Sequence, residues 1–218
     1  MRRRPENIVA GGGAFISFEG IDGSGKSTQA RKLSEALSMR GQDVVLTREP
    51  GGSPGAEEIR ALVLTGEPDR WSPVTEALLF TAARRDHLER VIEPALARGA
   101  VVVCDRFADS TRVYQGATRG DMREMVEALH RLAVKREPDL TVLIDMDPKV
   151  GLTRAKARRG REERFEDFGL EMQVAMRARF LELAESRADR FMIIDGTGAE
   201  DQVATEVLTK VSERLADI

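Results

Sequence analysis

Residues 20–27 read Gly20-Ile21-Asp22-Gly23-Ser24-Gly25-Lys26-Ser27 and match the phosphate-binding pattern G-x-x-x-x-G-K-[ST] at every fixed position. Glycines let backbone N–H groups converge on phosphate oxygens without clashes from Cβ atoms. In such a loop the lysine reaches the β- and γ-phosphates, and the following hydroxyl can ligate Mg²⁺. The sequence therefore predicts that Gly20 through Thr28 bind the phosphates of ATP, with Lys26 as a catalytic cation and Ser27 as a metal ligand.

The flanking segments support this interpretation. An apolar run over 14–19 predicts a strand before the loop, and apolar positions between Thr28 and Arg40 predict a helix after it. Strand, loop and helix in this order are the context that the pattern requires. The alternative, a chance glycine-rich turn, does not account for this context.

Composition narrows the class of protein. The chain has 218 residues, 33% of them charged, a formal net charge of −3 and a single cysteine. We expect no internal disulfide, a reducing and therefore cytoplasmic location, and no nucleic-acid partner. No apolar run approaches the roughly 18 residues of a membrane span, so we expect no membrane partner. The glycine-rich start predicts a flexible tail over 1–13, followed by a single P-loop domain over 14–218.

Five apolar strands alternate with helices along the chain. The predicted strands cover 14–19, 43–47, 100–104, 140–146 and 191–195, and the predicted helices include 54–64, 73–98, 121–135 and 168–187. This alternation predicts a parallel five-stranded sheet with helices on both faces, an α/β three-layer P-loop NTPase fold. Residues 107–120 are expected to form a polar segment, and Arg84 on the 73–98 helix is expected on a solvated face.

Charged residues follow two of the predicted strands directly. Arg48 and Glu49 begin a turn-rich loop, and Asp105 and Arg106 end a buried strand. Ligands of open α/β sheets bind at the carboxyl ends of strands. A carboxylate after four hydrophobic residues is typical of the magnesium shell in nucleotide-loop proteins, so Asp105 is the second predicted metal ligand.

A basic cluster occupies about 154–167, where acidic residues are interspersed. It could be a salt-bridged helix face, a nucleic-acid patch, or a lid that closes over a triphosphate. The phosphate loop favours the lid, for which the candidate residues are Arg154, Arg158, Arg159, Arg164 and Glu166.

Taken together, the chain resembles the thymidylate kinase family of P-loop nucleoside monophosphate kinases from Phe15 to about Ala184. The resemblance is carried by Phe18-Glu19-Gly20 through Thr28, Thr47-Arg48-Glu49-Pro50-Gly51-Gly52, residues 79–87, Asp105-Arg106-Phe107, Ser110-Thr111, Tyr114-Gln115-Gly116 and Glu163-Arg164-Phe165-Glu166. It implies transfer of phosphate from ATP to dTMP with Mg²⁺, and a homodimer.

The resemblance also implies roles for single residues. The dTMP-binding set would be Asp22 (3′-hydroxyl), Arg48 and Arg106 (phosphate), Phe80 (stacking on thymine), Arg84 (thymine O4), Thr111 and Gln115 (base edge), Tyr114 (deoxyribose), Arg60 (shape of the site) and Ser110. Glu49 would support the loop that carries Arg48. Gly23 stands where some family members carry an arginine, which resembles the bacterial type with a catalytic lid arginine. Spacing does not fix which arginine this is: Arg158 and Arg159 are the first candidates, and Arg154 is the next. Lys26, Arg106 and Asp22 would complete the catalytic set, and Phe165 replaces a tyrosine common in the family.

Two alternatives remain from the sequence. One is a kinase of another pyrimidine monophosphate or of a deoxynucleoside on the same scaffold. The other is a P-loop switch or assembly ATPase, which would hydrolyse ATP slowly and bind dTMP weakly.

Overall fold

A computed structural model describes residues 12–67, 70–118, 122–157 and 169–216. Its centre is a five-stranded, fully parallel sheet in the order β2-β3-β1-β4-β5. The strands are β1 (Ala14–Glu19), β2 (Val44–Arg48), β3 (Val101–Asp105), β4 (Leu140–Asp145) and β5 (Phe191–Asp195). All five predicted strands and the parallel sheet are therefore confirmed.

Helices connect and cover these strands. They are α1 (Lys26–Met39), α2 (Pro54–Leu64), α3 (Pro73–His87), α4 (Glu93–Ala97), α5 (Ala108–Thr118), α6 (Arg123–Leu129), α7 (Pro148–Ala157), α8 (Leu170–Ser186) and α9 (Glu200–Ala216). A π turn over Leu88–Ile92 joins α3 to α4, so the single helix predicted over 73–98 is interrupted. A second π turn, His130–Val134, follows α6.

The polar segment expected over 107–120 contains α5, a helix that the sequence did not predict. Helix prediction depends on a repeating apolar stripe. In α5 buried polar groups interrupt this stripe, although Ala108 and Val113 are also buried. Asp109 is fully buried and forms an ion pair with Arg112, 2.8 Å away.

The core lies on both faces of the sheet. Ile16 and Phe18 of β1 pack with apolar residues of α1 and α9 on one face. Phe15 points to the opposite face and packs with Leu88 and Ile92. Strands covered on both sides are continuously apolar, which is why they were readable from the sequence.

The sheet register brings the predicted functional loops together. Phe18 of β1 and Arg48 of β2 are both level with Asp105 of β3. The phosphate loop and the loop that starts at Glu49 therefore leave the same edge of the sheet as Asp105.

Some predictions fall outside the described residues. These are residues 1–11 of the expected tail and the lid residues Arg158, Arg159, Arg164 and Glu166. Within the described ranges, no helix combines the length and apolar character that crossing a membrane requires.

Candidate active site

A cavity of about 390 Å³ opens at the carboxyl edge of β1, β2 and β3. Its lining includes every residue predicted to bind dTMP: Asp22, Arg48, Arg60, Phe80, Arg84, Arg106, Ser110, Thr111, Tyr114 and Gln115. Lys26 and Ser27 of the phosphate loop, and Asp105 of β3, also line it. The structure therefore brings the predicted acceptor-nucleotide and phosphate residues to one place.

The phosphate loop depends on glycine at its tip. Gly23 has a φ of 77°, and a Cβ added there would lie 1.9 Å from the carbonyl oxygen of Gly151 on α7. No side chain fits at that position, which explains why the loop carries no arginine at Gly23. The loop and the helix that leads to the predicted lid are in direct backbone contact here.

The Lys26 side chain folds back onto the phosphate loop. Its Nζ donates to the carbonyl oxygen of Ile21 at 2.9 Å and lies 3.9 Å from Asp22 Oδ1. Burial lowers the pKa of Lys26 to about 8. The ammonium group is therefore only weakly compensated by its neighbours, and phosphate oxygens would be favourable partners for it.

The two predicted metal ligands fit a magnesium ion. Ser27 is exposed at the start of α1, and Asp105 Oδ1 is buried with no hydrogen-bond partner among the described residues. In that same part of the chain, no group of three or more histidine, cysteine or carboxylate residues could hold a metal. A hydroxyl and one carboxylate are sparse ligands, as expected for Mg²⁺ held mainly by nucleotide phosphates and water.

Asp22, Arg106 and Tyr114 form a connected group in the middle of the cavity. Arg106 donates through Nη2 to Asp22 Oδ1 and through Nη1 to Ser110 Oγ, the latter at 3.1 Å. The Tyr114 hydroxyl donates to Asp22 Oδ2 at 3.2 Å, and the Arg106 guanidinium lies 5.1 Å from the centre of the Tyr114 ring. Burial alone would raise the pKa of Asp22, but the charges of Arg106 and Lys26 outweigh it and hold that pKa below its usual value.

The backbone of Arg106 is itself unusual. Its φ of 69° lies in the left-handed region, which non-glycine residues rarely occupy. The Arg106 N–H donates to the Phe18 carbonyl at 2.9 Å, which fixes the residue against β1. Such a backbone conformation at a cavity is a recognised sign of a functional position.

Glu19 is a site residue to which the sequence assigned no role. It is fully buried and accepts hydrogen bonds from the Phe107 N–H at 2.8 Å and from Ser110 Oγ at 2.6 Å. Burial, aided by the charge of Asp109, raises the pKa of Glu19 to about 7. Glu19 therefore anchors the start of α5 and, through Ser110, the Arg106 side chain.

Arg84 lies at the other end of the cavity, and its expected place on a solvated face is wrong. Its side chain is only 6% exposed. Its charge is compensated inside the fold, because Nε donates to Glu49 Oε2 at 2.6 Å. Nη2 donates to Thr111 Oγ1 at 2.9 Å and to the Phe107 carbonyl at 3.2 Å. The carboxylate that compensates the buried Arg84 charge belongs to Glu49, in the loop after β2 and 35 positions away in the sequence.

Two further arginines, Arg48 and Arg60, line the cavity, and a third, Arg154, lies outside its lining. Arg48 is half-exposed and pairs with Glu57 at 3.1 Å, and Arg60 donates to the Pro50 carbonyl at 2.6 Å. Arg154 is exposed on α7 and donates to the Gly196 carbonyl at 3.3 Å, outside the cavity lining.

The fold and the site define a class. A phosphate loop on β1, a carboxylate at the end of β3 and a cavity rich in arginine beside them are the parts of a P-loop phosphotransferase. Within this class, the family model for thymidylate kinase matches residues 18–207.

Known proteins give the same result. The chain is 69% identical over 207 residues to a thymidylate kinase of Ruegeria pomeroyi, covering 95% of this chain and 98% of that one. It is 53% identical over 204 residues to a thymidylate kinase of Caulobacter vibrioides, covering 93% and 98%. The crystal structure of thymidylate kinase from Ehrlichia chaffeensis matches with a TM-score of 0.74 at 34% identity, covering 92% of this chain and 99% of that one. The chain belongs to the thymidylate kinase family.

Proposed function

We propose that the cavity binds dTMP and the phosphate loop binds ATP, so that the γ-phosphoryl group passes between them. As a member of its family, the chain is a transferase that phosphorylates dTMP to dTDP in dTTP biosynthesis. The observation that carries the assignment of the site is the convergence of all the predicted dTMP residues on one cavity that also contains Lys26.

The cavity suits a pyrimidine deoxynucleotide from end to end. Half-buried Phe80 offers a face for stacking, and Arg84 offers N–H donors for a carbonyl at the base edge. Gln115 and Thr111 supply the remaining edge contacts. Asp22 accepts the 3′-hydroxyl, and Tyr114 packs where a 2′-hydroxyl would otherwise fit.

Transfer needs no strong general base. The attacking atom is a phosphate oxygen, and the second pKa of a phosphate monoester is about 6, so it is already ionised near neutral pH. Arg106 holds the acceptor phosphate, Lys26 binds the donor phosphates, and both reduce the repulsion between the two anions. Catalysis is then positioning combined with charge neutralisation.

Ser27 and Asp105 are the residues that would hold Mg²⁺. When bound, the ion neutralises triphosphate charge and orients the γ-phosphoryl group. The buried, partnerless Oδ1 of Asp105 is the feature of the described chain that supports this assignment. Chelation with EDTA should abolish turnover, and restoring magnesium should recover it.

We assign the residues after α7 to a lid. Ala155 on α7 lines the cavity, and α7 ends at Ala157, immediately before Arg158 and Arg159 in the sequence. A lid arginine would stabilise charge on the transferring group and exclude water, which limits ATP hydrolysis.

A homodimer and a cytoplasmic location complete the proposal. Val74 and Leu78 on α3 are 45% and 47% exposed, one turn apart on the same face of the helix, and Leu62 on α2 is 42% exposed. An apolar face of this kind suits a second copy of the chain. Light scattering should give twice the chain mass, and Leu78→Glu should shift it to the monomer.

Arg106→Lys tests the assignment of the site. Lysine keeps the charge but cannot hold Asp22, Ser110 and a phosphate together. Losing charge-assisted hydrogen bonds should lower kcat/KM for dTMP about 100-fold. Arg131→Lys, a matched change at an exposed residue outside the cavity lining, should leave kcat/KM unchanged. Wild-type kcat/KM in the Arg106 variant would contradict the proposal.

A further inference from the structure

His87 lies at the centre of a buried hydrogen-bonded chain beneath the base end of the cavity. The side chain is fully buried at the end of α3. Its Nε2 is 2.7 Å from Thr47 Oγ1, and its Nδ1 is 3.1 Å from Glu49 Oε1. The other oxygen of Glu49, Oε2, accepts from Arg84 Nε at 2.6 Å. Four residues from β2, its following loop and α3 are thus linked in one line.

For a neutral imidazole, the chemistry of the partners determines the direction of each bond. The Glu49 carboxylate pairs with Arg84 and, when ionised, only accepts hydrogen bonds. Nδ1 of His87 must therefore carry the proton that it donates to Glu49. In the neutral imidazole Nε2 is then an acceptor, so the Thr47 hydroxyl donates to it. This tautomer satisfies every polar atom of the imidazole.

The same bonding determines which N–H groups of Arg84 remain for a ligand. A guanidinium has five N–H donors. Nε donates to Glu49, and Nη2 donates to Thr111 Oγ1 and to the Phe107 carbonyl. Within the described residues, the two N–H groups of Nη1 are left over, and Arg84 lines the cavity. Two donors in a fixed plane suit a carbonyl oxygen on the edge of a base.

The loop after β2 also restricts the position of His87. Gly52 has a φ of 92°, and a Cβ there would lie 2.4 Å from His87 Nε2. The loop backbone therefore closes directly over the imidazole ring. His87 has no room to move away from Glu49 while this loop keeps its conformation.

We infer that His87 is a positioning residue for base recognition. It holds one oxygen of Glu49, so that the other oxygen holds Arg84 at the angle from which Nη1 meets the base. This inference rests on the proposed contact between Arg84 and the O4 carbonyl of thymine. His87 itself does not line the cavity and touches no substrate.

Two amide substitutions separate this role from packing. His87→Asn places an amide N–H near the position of Nδ1 and can still donate to Glu49, whereas His87→Gln places its amide near Nε2 and reaches Thr47 instead. We expect the Asn variant to keep the wild-type KM for dTMP within a few fold. The Gln variant should raise it about tenfold, as for the loss of one hydrogen bond to a charged group. The KM for ATP should stay unchanged in both.

Base selectivity is the readout that packing alone would not move. dCMP carries an amino group where dTMP carries the O4 carbonyl, so it cannot accept from Arg84. The ratio of kcat/KM for dTMP over dCMP should fall in His87→Gln and persist in His87→Asn. His130→Gln is the matched control, since this second histidine is also buried but pairs with Glu137. It should leave the ratio unchanged.

The possible outcomes distinguish a positioning role of His87 from simple packing and from a wrong assignment of the base contact. Equal losses of kcat for both nucleotides in the Asn and Gln variants, with unchanged KM, would overturn the inference in favour of simple packing. If Arg84→Lys loses selectivity but His87→Gln keeps it, the positioning role is wrong while the proposed base contact stands. If Arg84→Lys keeps selectivity, the base contact itself is wrong. Should the His87 variants fail to fold, Thr47→Val removes the hydroxyl that orients the imidazole and should raise the dTMP KM a few fold; an unchanged KM and ratio would overturn the inference.

Discussion

Gly151→Ala perturbs the contact between the phosphate loop and α7 at a single atom. A Cβ at this position would lie 2.8 Å from the carbonyl oxygen of Asp22 and 3.2 Å from Ile21 Cδ1. Ordinary contact begins near 3.4 Å, so the helix and the loop must separate by about 0.6 Å at the carbonyl. The carbonyl belongs to the loop that binds phosphate, and it cannot rotate away as a side chain could.

Two opposing effects decide the size of the change. Replacing glycine by alanine inside a helix stabilises it by up to about 1 kcal/mol. Overpacking against backbone costs about 1–3 kcal/mol, so the free energy of unfolding should change little or fall slightly. Function should suffer more, because a misplacement of about 1 Å in an active site can cost 100-fold in rate. For about 0.6 Å we expect kcat to fall on the order of 10-fold.

A coupled ADP-release assay measures kcat and the KM for ATP. Calorimetric titration with dTMP in the absence of ATP measures the Kd for dTMP. kcat should fall and the KM for ATP should rise, because the displaced carbonyl belongs to the phosphate loop. The Kd for dTMP should rise by less than the KM for ATP, since the base end of the cavity lies away from α7 and only the Asp22 contact with dTMP is on the displaced loop. Gly12→Ala, where no atom lies within 4 Å of the added Cβ, is the matched control and should behave as wild type. Wild-type kcat and KM for ATP in Gly151→Ala would refute the coupling of α7 to the phosphate loop.

Three further perturbations have defined outcomes. Asp109→Asn removes the fully buried carboxylate between Arg112 and Arg190. It should lower the free energy of unfolding, measured in urea, by about 3–5 kcal/mol without changing the KM for dTMP. A loss below about 1 kcal/mol would contradict this expectation. Because burial raises the pKa of Glu19 from 4.5 to about 7, the folded chain keeps a proton there that the unfolded chain releases, so this residue's contribution to stability should decline as pH rises from 4.5 to 7. Glu19→Gln should remove that part of the pH dependence in urea titrations, and an unchanged profile would exclude Glu19 as its source. Alanine at both Arg158 and Arg159 should lower kcat on the order of 10³-fold, and a change of only a few fold would exclude a lid arginine at these positions.

The sheet and the phosphate loop were readable from the sequence because their signals are local. Strands buried on both faces show as continuous apolar runs, and the loop shows as a fixed spacing of glycines before Lys26. The residues of the base and phosphate ends were assigned through resemblance, and their convergence on one cavity required the sheet register. That register makes Arg48 and Asp105 neighbours although 57 positions separate them.

The features that the sequence did not reveal depend on partners distant along the chain. Arg84 looked like a surface charge because Glu49, which compensates it, lies on another element. His87 was assigned no role for the same reason. α5 escaped prediction because Asp109 and Arg112 interrupt the apolar residues of its buried face. In each case polar groups are paired inside the fold, where hydrophobic periodicity gives no signal.

The most direct test of the account is ADP release by the purified chain with ATP and Mg²⁺ against dTMP, dUMP, UMP, CMP, AMP and thymidine in parallel. The arrangement of Phe80, Arg84 and Tyr114 around one cavity predicts strong turnover with dTMP, weaker turnover with dUMP and little with the others. Faster turnover with thymidine or AMP would contradict the assignment of the cavity to dTMP. ADP release that is equally fast without any acceptor would contradict phosphoryl transfer to a nucleotide altogether.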